Sequence, residues 1–199
     1  MIYEHLGARP RIDGTAVIAP SAVVSGDVRI GPGCQVLHGA VITAEGGPIV
    51  LGENVIVMEN AVIRASATGP VHVGDHVLIG PGASVSGATI ADEVFLATGT
   101  RVFNGARIGE RAEVRINAVV HLRTTLPADT VVPIGWVAVG EPLRVLPPDR
   151  HEEIAAAQQE LDFPGYVFGL DRDTPDLMVQ LTERYGRSLA RHADDREVG

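Results

Sequence analysis

The sequence predicts an all-β fold: a parallel β-helix of hexapeptide repeats over residues 1–140, then a C-terminal loop and two α-helices over 141–199. Three observations predict it. An aliphatic residue returns every six positions, a small residue follows four places after most of them, and the composition is rich in β-branched residues and glycine. The 199 residues hold 27 valines, 14 isoleucines and 23 glycines against 8 aromatic rings. That balance favours β structure assembled from small repeated units.

The aliphatic series runs Ile12, Ile18, Val24, Ile30, Val36, Ile42, then after a longer gap Leu51, Val57, Ile63, and after another Val73, Ile79, Val85. A five-residue step leads to Ile90, after which Leu96, Val102, Ile108, Val114, Val120 and Leu126 keep the period of six. Neither an α-helix nor an ordinary amphipathic strand has this period. A solenoid whose flat sides are each one hexad long does, so that three hexads close a triangular coil. The aliphatic side chain points inward and stacks on its equivalent one coil away. Ala16, Ala22, Cys34, Ala40, Ala61, Ala83, Thr100, Ala106, Ala112, Ala118 and Thr124 sit four places on, near the corner, where interior space is narrow. Gly31, Gly52, Gly74, Gly80 and Gly109 follow the aliphatic residue directly and are expected to supply corner freedom. Nineteen hexads make about six coils, a prism roughly 30 Å tall at strand spacing of about 4.8 Å. A β-sandwich with glycine turns would not hold six-residue phasing over such a length.

The hexads stop near Gly140. EPLRVLPPDR (141–150) reads as an exit loop, and HEEIAAAQQELDF as a helix packed along the prism. After a break at Pro164-Gly165, a second helix places Leu177, Leu181, Tyr185 and Leu189 on one face. Trp136 is expected to pack under the first helix, and Tyr166 and Phe168 to dock on the prism rather than cover a cleft. The last residues, ADDREVG, are expected to fray.

The length suits one domain with a substantial core. A net charge of -9 argues against binding nucleic acid through net charge. No apolar run is long enough for a membrane span, and MIYEHLGARP lacks a signal-peptide layout, so a cytoplasmic protein is expected. The single cysteine, Cys34, excludes an internal disulfide and reads as an inert buried thiol. All 16 cationic residues are arginine, which removes Schiff-base chemistry, a pyridoxal-phosphate anchor and a P-loop phosphate clamp.

The hexads and their interruptions resemble the γ-class carbonic anhydrases, a branch of the hexapeptide-repeat, left-handed β-helix proteins. AVITAEGGPIVLGENVIVMENAVIR (40–64), VHVGDHVLIGPGASVSGATIADEVFLATGTRVF (71–103) and VVPIGWVAVGEPLRV (131–145) carry the resemblance over about residues 10–150. It implies left-handed winding and a homotrimer. In that family three histidines bind zinc between subunits; on this chain those positions are Arg64, Pro81 and Ser86. Proline has no side-chain donor and a guanidinium stays protonated, so no metal and no cofactor is expected there. The family's active-site arginine and aspartate fall on Thr43 and Glu45, and its Gln-Asp pair on Met58 and Glu59.

Stacking places Thr43, Arg64, Ser86, Phe103 and His121 in one column and His38, Glu59, Pro81 and Thr98 in another, which in the family face each other across the subunit interface. A cleft there would bind a small polar or anionic molecule. Arg64, Glu45, Asn104 and Thr43 are the candidate binding residues; Glu59 or His38 is the candidate general base, with Ser86 beside them. Equally open is an Arg64–Glu59 ion pair that simply fills the vacated metal site. His72 and His76 read as solvated turn residues, and His151 and His192 as surface. Three functions stay open: a zinc-free enzyme or binder of a small anion, a lyase or hydrolase if it turns over; a hexapeptide acyltransferase using acyl-CoA with His38, His76 or His121 as base; and a non-catalytic trimeric assembly protein.

Overall fold

The computed structural model describes residues 1–66 and 68–199. Strands of two to five residues stack in parallel as the three sides of a β-solenoid, with short helices at the C-terminal end. One side carries Val23–Ser25, Val41–Glu45, Val62–Ser66, Ser84–Ser86, Arg101–Val102, Val119–Val120 and Val137–Val139 in successive coils. The second runs from Arg11–Ile12 to Thr125–Leu126, and the third from Val17–Ile18 to Val131–Val132. Register follows the repeat: Ile42 pairs with Ile63, Ile63 with Val85, Val85 with Val102 and Val102 with Val120. From Val24 to Leu126 every residue of the aliphatic series is buried, and so are the small residues four places after them, from Ala22 to Thr124. The first coil is looser, with Ile12, Ala16 and Ile18 only partly covered.

The glycines after the aliphatic residues have a different purpose from the one expected. A Cβ at Gly31 would lie 2.3 Å from the Gly52 carbonyl oxygen, and one at Gly80 would lie 2.7 Å from the Ala97 carbonyl carbon. The coils approach so closely here that no side chain fits, whatever φ is. Left-handed φ occurs at the corners instead, on glycines such as Gly33 and Gly39 and on Asn54, Asn60 and Asn117. Asparagine tolerates that region better than most residues.

Helix α1 (His151–Leu161) lies on the prism, burying Ala157 and Leu161 against Leu122 and Val139. Trp136 packs on the main core rather than under α1. Helix α2 (Leu177–Leu189) half-buries Leu177, Leu181, Tyr185 and Leu189, the stripe its spacing predicts. Two expectations fail. The exit segment contains a strand, Arg144–Leu146, antiparallel to Val137–Val139. The final residues do not fray: Arg196–Glu197 pairs antiparallel with Ile2–Glu4. The C-terminal segment therefore travels back along the prism and closes both edges of one sheet. No helix among the described residues is long and apolar enough to cross a membrane.

Candidate functional site

Arg64 projects from the middle of Val62–Ser66, between Thr43 and Ser86 in the neighbouring coils. Because alternate residues of a strand face opposite sides, Ile63 and Ala65 enter the core while Arg64 and Ser66 stay outside. Over this outer face α2 and the turn Pro164–Phe168 enclose a cavity of about 490 Å³. Its prism wall carries Glu45, Arg64, Ser86 and Asn104; its helical wall carries Arg184, Tyr185 and Arg191, with apolar cover from Phe163, Val167, Phe168 and Leu181. Gly87, with φ +52, leaves room for Asn104, whose Nδ2 would meet a Cβ there at 2.7 Å.

The Arg64 Nε lies 3.4 Å from the Glu45 carboxylate, and its Nη1 donates to the Tyr185 hydroxyl at 2.7 Å. Within one chain the partner of Arg64 is Glu45 rather than Glu59. Glu45 follows Thr43 along the adjacent strand, opposite Ser66, whereas Glu59 sits in an exposed turn ahead of Val62–Ser66. His38 is also exposed and hydrogen-bonded to Ser21 Oγ at 2.7 Å. Within one chain, therefore, Arg64, Glu45, Ser86 and Asn104 come together and Thr43 lies buried beside Arg64, while Glu59 and His38 stay apart from them. Sequence reasoning missed Arg184, Tyr185 and Arg191 as a group. Their signal was present in α2 and the turn after it, since Arg184, Ser188 and Arg191 flank the half-buried stripe at helical spacing.

The aromatic residues after α1 divide between the two roles. Phe168 lines the cavity and meets Tyr185 edge-on at 5.7 Å, whereas Tyr166 docks beneath the Arg123 guanidinium, 5.2 Å from its ring centre. His121 stacks on Phe103 with its Nδ1 accepting from the Leu122 N–H at 2.9 Å. Burial pushes its pKa down, and its Nε2 lies 3.1 Å from the Gln158 amide nitrogen. Cys34 is buried, and burial raises its thiol pKa, as its interior position predicts. His72, His76 and His151 are exposed. His192 is not a free surface residue: its Nδ1 bonds Asp195 at 2.9 Å, and its ring stacks 4.3 Å from the buried His5.

The positions at which the resemblance puts zinc ligands do not fit the ion. Arg64 and Ser86 are neighbours on one sheet, but a guanidinium engaged by Glu45 and Tyr185 offers no lone pair. Pro81 has no donor atom and lies in a shallow apolar groove elsewhere, with Met58, Leu78, Phe95, Ile116 and Ile134.

No family model matches the chain. Among curated proteins it is 32% identical over 156 residues to γ carbonic anhydrase 1, mitochondrial, of Arabidopsis thaliana, covering 75% of this chain and 54% of that protein. It is 38% identical over 146 residues to the carboxysome assembly protein CcmM of a Synechocystis strain, covering 66% of this chain and 20% of that one. The chain thus spans about half the length of the plant relative and less of the cyanobacterial one. Among solved structures, a hexapeptide transferase family protein from Anaplasma phagocytophilum superposes with a TM-score of 0.63 at 22% identity, over 92% of this chain and 95% of that one. That likeness shows the fold. With the repeat register and the sequence identity together, the chain is a hexapeptide-repeat β-solenoid homologous to the γ carbonic anhydrases.

Proposed function

We propose that the chain binds a small organic anion, a carboxylate carrying an apolar group, in the cavity beneath α2, without zinc at positions 64, 81 and 86 and as a subunit of a homotrimer. The observation that carries this reading is the charge of the cavity wall. Three guanidiniums, from Arg64, Arg184 and Arg191, face it with one carboxylate, Glu45. Arg184 and Arg191 contact only backbone carbonyls and the Ser188 hydroxyl among the described residues. Planar guanidinium donors suit a carboxylate, and the apolar side chains lining the cavity beside them strengthen the pairing. Phe163, Phe168 and Leu181 would cover the ligand's apolar part.

The geometry supports binding more than turnover. Among the described residues no base is hydrogen-bonded to Ser86, and a serine nucleophile needs one. In the trimer that the resemblance implies, His38 and Glu59 of a neighbouring subunit would reach the site from outside, which is how a base could be supplied. The acyltransferase reading is left with His38 or His76 as its base, since both are exposed while His121 lies buried under Gln158 and Phe103. Titration calorimetry with phenylacetate, benzoate and short-chain fatty acids tests the proposal. Saturable binding is expected, weakened at least about tenfold in Arg184→Gln and Arg64→Ala, as loss of a charge-assisted hydrogen bond implies. Absence of binding, or an affinity in both variants unchanged from the unaltered protein, overturns it.

A further inference from the structure

The two chain ends bring together a second cluster that the cavity does not use. His5 follows the first strand, Ile2–Glu4, and is buried; His192 and Asp195 lie just before the last, Arg196–Glu197. Pairing of these two strands fixes the three residues against one another. Asp195 stands between the two imidazoles, one carboxylate oxygen 2.5 Å from His5 Nδ1 and the other 2.9 Å from His192 Nδ1. The rings stack 4.3 Å apart, 20° from parallel. Among the described residues these are the one group of three or more His, Cys, Asp or Glu whose donor atoms all lie within 4.8 Å of one another.

We propose that His5, His192 and Asp195 form a binding site for a divalent transition-metal ion of the zinc class. Two imidazole nitrogens and a carboxylate oxygen are the borderline donor set such ions select. Tetrahedral bonds of about 2.0–2.1 Å hold donor atoms a little over 3 Å apart, so the carboxylate has to withdraw and the stacked rings have to turn until both Nδ1 lone pairs point at the ion. The surroundings match. The Glu45 carboxylate faces the outer side of the His192 ring, 3.9 Å from Nε2 and beyond hydrogen-bond distance. His192 and Asp195 also line an open depression of about 590 Å³ between the first coils and the end of α2, which leaves a coordination position for water or a ligand, while His5 backs the site from within. Here the metal ties the returning C-terminal segment to the first coil, through side chains other than those at positions 64, 81 and 86, although Arg64 lines the same depression.

Full-length protein stripped with a chelator and titrated with Zn²⁺ or Co²⁺ alone tests the site. One equivalent per chain is expected, with the absorption bands of four- or five-coordinate Co²⁺, zinc-induced shifts of the His5 and His192 ring nitrogens in NMR, and a raised melting temperature. His192→Gln and Asp195→Asn are expected to lower affinity roughly 100-fold or more. The ring-nitrogen shifts of the unaltered chain provide a reading that no folding defect in a variant can obscure. Lack of saturable binding, shifts at other histidines, or unchanged affinity in both variants would show a hydrogen-bonded latch only and overturn the proposal. Carboxylate binding at Arg184 is measured separately and stands or falls independently.

Discussion

At the scale of single residues, one side-chain atom decides whether two coils can stack. Gly31 has an ordinary φ, so its requirement for glycine comes from the neighbouring backbone, whose Gly52 oxygen would lie 2.3 Å from a Cβ. Gly14 faces open space and also has an ordinary φ. Gly31→Ala is therefore expected to cost about 1–3 kcal/mol through overpacking, whereas Gly14→Ala should be neutral or stabilise by up to ~1 kcal/mol through the unfolded chain; urea unfolding of both checks this. The repeat told where these glycines fall but not why. A period reports position within a coil, while the reason lies in the distance between coils. Arg64, Ser86 and Asn104 were legible as neighbours from the stacked hexads and Glu45 from the family resemblance, and all four line one cavity. Arg184, Tyr185, Arg191 and His5 lie outside the repeat, and only tertiary packing brings them to their places.

At the scale of elements, the prism was readable almost entirely, because each strand's inward residue is fixed by a rule that recurs coil after coil. The helices were readable as helices, from the apolar stripe of α2 and the Pro-Pro-Asp entry of α1, and α1 lies along the prism as its sequence predicts, but nothing in the repeat placed α2 over the Arg64 face. Two- and three-residue strands such as Arg196–Glu197 and Arg144–Leu146 are too short to show alternation, so their pairing could not be foreseen. Docking of α1 has a titratable consequence. It covers His121, whose folded-state pKa is pushed by burial below the ordinary value of about 6.5. The unfolded chain then takes up the proton first as pH falls. The stability contributed by the neutral ring is fully present above about pH 6.5 and is lost below it, toward the depressed folded pKa. Denaturant midpoints measured from pH 7.5 to 5.5 should fall more steeply in the unaltered protein than in His121→Gln.

For the whole molecule, the distribution of exposed apolar groups indicates how it associates. Ile134, Ile116 and Phe95 remain 65%, 44% and 37% exposed around the groove that contains Pro81. Burying such a patch against a second copy is favourable at roughly 25 cal/mol per Å². Light scattering is expected to give the mass of a trimer, and Ile134→Glu to give monomers with an unchanged β-sheet circular dichroism spectrum. A monomeric unaltered protein would remove the trimer, and with it any supply of His38 and Glu59 from a neighbour. A parallel stack of identical coils has no intrinsic end, and a bare terminal rung invites another molecule to continue it. Here Arg144–Leu146 lies across the final rung of one sheet and Arg196–Glu197 across the first, both running against the grain of the parallel strands. One of the three sides is thereby closed at both ends to a further parallel strand.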